Sequence, residues 1–360
     1  MTRHHLAEEN QADFATVCQN VCGIQAQVMS AAEMQLWTRR HDLTRADIHA
    51  ALWKSRVLVK TSLMRQTLHL IPAADFSIYI SALKRSRVEA LRRNMSRLGI
   101  APKEAAAMTK SIIDALRAGP MTQPELMGQI IPKVGKKLRK YIELTWSIQI
   151  FRLALVEGLI CYGPERGKKT TFVRVDQWLP KQRAVDEHEA KRVLLRRYLR
   201  AYGPATLQDF SKWTGMPVQE ARAVWQSLEE EMVAVNIEDK KGWLLREDYR
   251  RLANSDLDGQ ILRLLPHFDP YLLGHADKNH LVEARNYKRV YRNQGWISPV
   301  VLLNGRIIGV WSCTRRGKRS SLEIEPFEKF PKIIQAKIEA EAASLGGFWE
   351  TAWEIKFNQK

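Results

Sequence analysis

The chain has 360 residues, 45% of them hydrophobic, and a formal charge of +18 from 57 Lys and Arg against 39 Asp and Glu. It is too long for one small core and too apolar for a disordered chain, and a charge that basic makes a polyanion the default partner. No run approaches the roughly 18 uninterrupted apolar residues of a membrane span, and the first 30 residues, with Arg3, His4, His5, Glu8 and Glu9, lack a signal-peptide core. The expectation is a soluble, cytoplasmic protein without a membrane partner.

Residues 1–100 read as mostly helical, with features of a degenerate winged helix. Cys18 and Cys22, spaced i, i+4, suggest one face of a helix, and four irregularly placed cysteines in all suggest reduced thiols. Gly23-Ile24-Gln25-Ala26-Gln27 follows. Thr44-Arg45-Ala46-Asp47 is a capping-box-like helix start, and Val57–Lys60 and Thr67–Pro72 read as strands. Lys84, Arg85, Arg87, Arg92, Arg93 and Arg97 then share a helix with a single acid, Glu89.

Residues 101–180 and 181–255 echo each other. Gly119-Pro120-Met121-Thr122, with Glu125 three residues on, resembles Gly203-Pro204-Ala205-Thr206 with Asp209. In each, Gly-Pro ends a helix and a Thr caps the next one. Each copy runs on through a longer helical stretch, Tyr141–Leu155 or Val218–Leu228, into a strand pair with a charged turn. Helix, helix, helix, hairpin is a winged helix, so the repeat predicts two in tandem. Residues 256–360 change character. Asn304-Gly305 between apolar runs is a hairpin signal, the basic turn Arg315–Arg319 precedes another strand, and a helix over Pro331–Leu345 closes a β-meander. The expected class is α+β, mainly helical, with a C-terminal meander and hairpin.

Positive charge clusters in Lys84, Arg85, Arg92 and Arg93, in Lys136 and Lys137, in Lys191–Arg200, in Arg285–Arg292, and in Arg315, Arg316, Lys318 and Arg319. These are candidate phosphate contacts, and the last group has the shape of a ribbon tip that enters a groove. For any one cluster the alternative is a solvated helix face. His267, Asp269, His275, Asp277 and His280 crowd together, but Pro270 and Gly274 break their spacing, so no metal site is expected there.

Several of these segments together resemble the AlkZ/YcaQ winged-helix DNA glycosylases. They are Cys22–Gln27, Leu63–Pro72, Leu265–Gly274 and Asn304–Trp311, which occur in the family's order across nearly the whole chain. The resemblance implies a C-shaped array of tandem winged helices around a basic cleft. It also implies excision of alkylated bases from double-stranded DNA, in places with crosslink unhooking. Its Gln-Φ-Gln catalytic motif falls on Gln25 and Gln27, with Ala26 between them. Gln66 stands where many relatives carry Gly. The family's groove-probing hairpin falls at Arg315–Arg319. His69 and Asp269 are weaker candidates for lining or bracing the site.

Two glutamines offer carbonyl oxygens and N–H donors but no charge and no useful basicity. They can position a water but cannot deprotonate it. The leaving base must therefore be activated already, as a cationic N7- or N3-alkylpurine is. Residues i and i+2 of a helix point about 200° apart, so Gln25 and Gln27 converge only in an extended or bent segment. The reading is a monomeric, nucleoid-associated glycosylase that needs neither metal nor cofactor. The rival is a non-catalytic winged-helix DNA-binding protein or transcription regulator.

Overall fold

The computed structural model describes residues 1–7, 11–135, 139, 148–237, 240–253, 260–316 and 319–358. In chain order the main elements are α1 (Phe14–Asn20), β1 (Ile24–Gln25), α2 (Met29–Trp37), α3 (Arg45–Trp53), β2 (Leu58–Ser62), β3 (Leu68–Pro72), α4 (Phe76–Arg97), α5 (Pro102–Ala115), β4 (Met121–Thr122), α6 (Gln123–Ile130), α7 (Ile148–Val156), β5 (Ile160–Arg166) and β6 (Lys169–Arg174). There follow α8 (Glu187–Tyr202), α9 (Leu207–Thr214), α10 (Val218–Gln226), β7 (Met232–Ile237), β8 (Lys240–Leu245), β9 (Leu262–Leu265), β10 (Val300–Leu303), β11 (Arg306–Arg316), β12 (Arg319–Pro326), α11 (Lys332–Trp349) and β13 (Glu354–Phe357). The class is α+β. Two compact units divide the chain discontinuously: Met1–His49, Arg196–Trp213 and Glu229–Lys360 form one, and Ala50–Leu195 with Thr214–Leu228 the other.

The helix starts follow from local chemistry. Thr44 donates from N–H and Oγ1 to Asp47 Oδ2 at 3.0 and 2.6 Å, and the Asp47 N–H returns to Thr44 Oγ1. Thr122 N–H donates to Glu125 at 2.7 Å, and Thr206 and Asp209 repeat the pattern. Each acid sits in the first turn, where it also favours the positive end of the helix.

Both halves of the echo show three helices followed by a hairpin. In the first copy β5 pairs with β6, and β4 adds a third strand against β6. In the second, β7 pairs with β8, and a single bridge from Ala205 to Trp243 takes the place of β4. Of the helix expected over Tyr141–Leu155, residues 141–147 lie outside the described residues.

The core of the second unit is apolar contact among Met108, Ile112, Leu126, Phe151, Ile160 and Phe172, all nearly solvent-free. The first unit is built on a five-stranded sheet ordered β13-β12-β11-β10-β9. Asn304 and Gly305, with φ of 47° and 84°, form the two-residue turn between β10 and β11. α11 packs on β9 and returns the chain to lay β13 parallel to β12. Leu265, Leu272, Val300 and Leu302 lie at the centre of the core beneath this sheet. The closing helix runs four residues past Leu345, to Trp349.

One local expectation fails. α1 ends at Asn20, and Cys22 takes a left-handed φ of 58°, so Cys18 and Cys22 do not share a helical face. Gly23 follows with φ 96°, and this pair of residues swings the chain out of the helix into β1. None of the four cysteines forms a disulfide.

Candidate active site

Gln25 closes the short strand β1, and a bend over Gln27 and Val28 leads into α2. The segment is therefore extended over Ile24 and Gln25 and bends at Gln27 and Val28. Gln25 is 5% exposed, Ala26 is fully buried, and Gln27 is exposed.

One side chain anchors the strand. Gln35, on α2 and fully buried, uses a single amide nitrogen twice, donating to the carbonyl of Gln25 at 3.2 Å and to that of His267 at 2.9 Å. Arg39, one turn further along the chain, donates to the Gln35 carbonyl at 2.8 Å. Its guanidinium also grips Asp269 with two bonds of 2.8 Å, and both side chains are fully buried. Asp269 further accepts from the Tyr271 N–H at 2.9 Å and so caps the turn Pro270–Leu272. Asp269 is thus joined to Gln25 through Arg39 and Gln35, three hydrogen-bond links away.

The segment around Asp269 explains its own residues. A Cβ on Gly274 would lie 2.0 Å from the Tyr202 ring. The Gly274 carbonyl accepts from Tyr198 at 2.7 Å, and the Tyr202 hydroxyl donates to the Val21 carbonyl, just ahead of the Gln25–Gln27 segment. His267 donates from Nδ1 to the Ile297 carbonyl at 2.7 Å, and burial pushes its imidazole below the usual value. His275 faces the Pro204 carbonyl, and Asp277 pairs with Lys240. Among the described residues no group of three His, Cys, Asp or Glu could hold a metal.

His69 belongs to the second unit, on β3. It is buried, and its Nδ1 donates to the Thr67 carbonyl at 3.0 Å. Burial, with help from the Arg65 charge, drops its pKa to about 3, so the ring is neutral at physiological pH. Arg65 and Gln66 both hold left-handed φ, 53° and 62°, and the Arg65 backbone lies 3.3 Å from where a Cβ on Gly215 would stand. Gln66 thus occupies a conformation that glycine adopts without strain.

The basic residues divide. On α4, Lys84, Arg85, Arg92 and Arg93 are exposed, whereas Arg87 turns inward and donates to Ser62, burial lowering its pKa to about 10. Arg85 meets Glu89 at 3.5 Å and Arg92 meets Glu157 at 3.0 Å. The Lys191–Arg200 cluster is largely matched by acids: Lys191 by Glu187 and Glu220, Arg196 by Glu231, and Arg200 by Glu247. Lys136, Lys137 and Lys318 lie outside the described residues. Arg315, Arg316 and Arg319 are placed at the paired ends of β11 and β12.

A family model described as DNA glycosylase AlkZ-like matches residues 18–348. The chain belongs to the AlkZ-like DNA glycosylase family. It is thereby an enzyme, a DNA glycosylase hydrolysing N-glycosyl bonds. It is similar to an interstrand DNA cross-link repair glycosylase of Streptomyces sahachiroi, at 30% identity over 96% of this chain and 93% of the relative. The solved structure of the DNA glycosylase AlkZ from that organism superposes with a TM-score of 0.83 at 28% identity, covering 100% of this chain and 97% of the other. Against this family background, sequence reading missed Gln35 and Arg39. Neither carries a local signal, because their partners at His267 and Asp269 lie more than two hundred residues away.

Proposed function

We propose that this glycosylase removes cationic N7- or N3-alkylpurines from double-stranded DNA, with Gln25 and Gln27 holding the attacking water. The supporting observation is the anchored extended segment, which sets Gln25 in a buried position with Gln27 solvent-exposed two residues on. A fixed amide oxygen can accept from water and a fixed amide N–H can orient it, and such positioning lowers the entropic part of the barrier. What the amides forgo is general-base assistance, typically worth about 10²–10⁴-fold. A purine that is cationic before the bond breaks departs neutral and needs less of that assistance. A crosslink joining two purines through N7 carries the same activated bond at each end. The cross-link repair activity in the relative's name therefore fits this site, and we extend unhooking to this chain.

In this reading the two helix–helix–helix–hairpin repeats are tandem winged helices, within four consecutive regions, 1–100, 101–180, 181–255 and 256–360. The chain works as a cytoplasmic, nucleoid-associated monomer without metal or cofactor. Lys84, Arg85, Arg92, Arg93, Lys136, Lys137, Arg315, Arg316, Lys318 and Arg319 contact phosphate, giving affinity without sequence choice.

The test is release of free base from duplex DNA carrying N7-methylguanine. The wild type frees the base and leaves abasic sites, and undamaged purines stay. Gln25→Ala and Gln27→Ala each lower the single-turnover rate by about 10²-fold or more while duplex affinity holds. Tight binding with no release from N7-methylguanine, N3-methyladenine or an N7–N7 crosslink would defeat the proposal.

A further inference from the structure

A cavity of about 460 Å³ in the first unit is lined by Met34, His267, Lys288, Arg289, Arg292 and Trp311, among others. Its size is within the range of pockets that hold small ligands. Three cations line it against one carboxylate, Glu325, which Arg289 approaches at 3.7 Å. Lys288 and Arg292 are exposed, and among the described residues neither has a carboxylate within 4 Å. The cavity therefore presents two cations free to meet an anion.

A second feature adjoins it. Trp296 is 41% exposed, although its ring packs edge-on against His267 and Phe268, each at 5.0 Å between centroids. His267 is a wall of the cavity, so the indole stands at its edge. The turn that carries it is fixed. The Arg292 N–H donates to the Trp296 carbonyl at 2.8 Å, Tyr291 and Ile297 form a bridge beneath, and Gln294 and Gly295 hold left-handed φ of 58° and 75°. A guanidinium and an open indole thus stand at the two ends of one rigid turn. Cationic grooves joined to aromatic faces are how proteins hold unpaired nucleotides, since every base has a face to stack and every nucleotide carries a phosphate.

We propose that this face binds one unpaired DNA nucleotide, its phosphate between Lys288 and Arg292 and its base on the exposed indole of Trp296. The inference rests on the reading that the chain acts on duplex DNA. It assigns a place to a nucleotide freed when the duplex opens at damage. The cavity also neighbours the catalytic segment, because the Gln35 amide that holds the Gln25 carbonyl holds that of His267 too. Two sources supply such a nucleotide, one extruded from a duplex and one in a single strand.

The experiment uses the full chain and undamaged probes, so that it does not depend on base release. Fluorescence anisotropy compares a paired duplex, the same duplex with one bulged thymidine, and an oligothymidylate. The wild type prefers the bulged duplex to the paired one. Trp296→Ala removes that preference, about tenfold or more, and keeps paired-duplex affinity, while Trp296→Phe retains part of it. Lys288→Ala with Arg292→Ala weakens binding of the bulged probe and lowers its salt slope by about one to two. Matching tight binding of oligothymidylate assigns the site to any single strand, and preference for the bulge alone assigns it to an extruded nucleotide. Melting by circular dichroism verifies that each variant is folded. Equal binding of bulged and paired duplex by the wild type, or an equal loss on all three probes in Trp296→Ala, overturns the proposal. A failure of base release with this preference intact would instead strike the proposed reaction.

Discussion

The Arg39–Asp269 pair offers the sharpest test of how the Gln25 segment is held. Both side chains are fully buried and joined by two bonds of 2.8 Å. At an effective dielectric of about 20, unit charges about 4 Å apart attract by roughly 4 kcal/mol. Much of that attraction offsets the desolvation of the two ions, so the pair as a whole contributes little net stability. Asp269→Asn removes the attraction and leaves the guanidinium buried without a counter-charge, which costs about 3–5 kcal/mol. A loss of that size is a large share of the roughly 5–15 kcal/mol that holds a domain folded. Urea denaturation should therefore show a markedly lower midpoint at an unchanged slope. Replacing both partners, Arg39→Met with Asp269→Leu, should recover most of the loss, since no charge then stays buried. Arg39 also carries the Gln35 carbonyl, so base release by Asp269→Asn should fall further than its folded fraction does. An Asp269→Asn protein within about 1 kcal/mol of wild type, or a double variant no more stable than the worse single, would refute this account.

Two further outcomes follow from the same geometry. Gln35→Leu deletes both bonds from the shared amide and leaves the Gln25 carbonyl without that donor. The single-turnover rate should drop about 10-fold or more, as misplacement of a positioned group does, while affinity for undamaged duplex is unchanged. An equal loss in both would mark Gln35 as structural only. The pH profile is the second. Neither glutamine titrates, and His69, with its pKa of about 3, stays neutral across the window. Single-turnover release from N7-methylguanine DNA should therefore be flat across about pH 5–7, where an ordinary imidazole base would impose a slope. Stability is not flat. His69 has a depressed pKa, so its contribution is full above the unfolded value of about 6.5 and is lost as pH falls towards its folded pKa. A rate that climbs with the titration of a single group in that window would require a base the two amides do not provide.

Much of the fold was legible because its signals are local. Thr44, Thr122 and Thr206 announce their helices through acids three residues ahead, and Asn304-Gly305 sets its turn through backbone freedom alone. Cys22 misled because its i, i+4 spacing from Cys18 says nothing of the left-handed turn that Gly23 continues. The strands β9 and β13 went unread: four residues each, they are defined by neighbours far along the chain. The same limit governed charge. Lys191, Arg196 and Arg200 looked like one basic stripe, but Glu220, Glu231 and Glu247 reach them from other elements. Gln25 and Gln27 stood out only through likeness to a family, and Trp296 stood out only once its turn was seen.

The ion pair at Arg39 has a consequence in time. Its two halves are 230 residues apart, and the ribosome adds about 5–20 residues per second. For roughly ten seconds or more after Arg39 is made, the guanidinium that anchors α2 beside β1 has no carboxylate to close on. The anchoring of β1 through this pair is thus completed late in synthesis. On the proposed reading, a chain cut short before Asp269 carries both glutamines but not the carboxylate that Arg39 closes on.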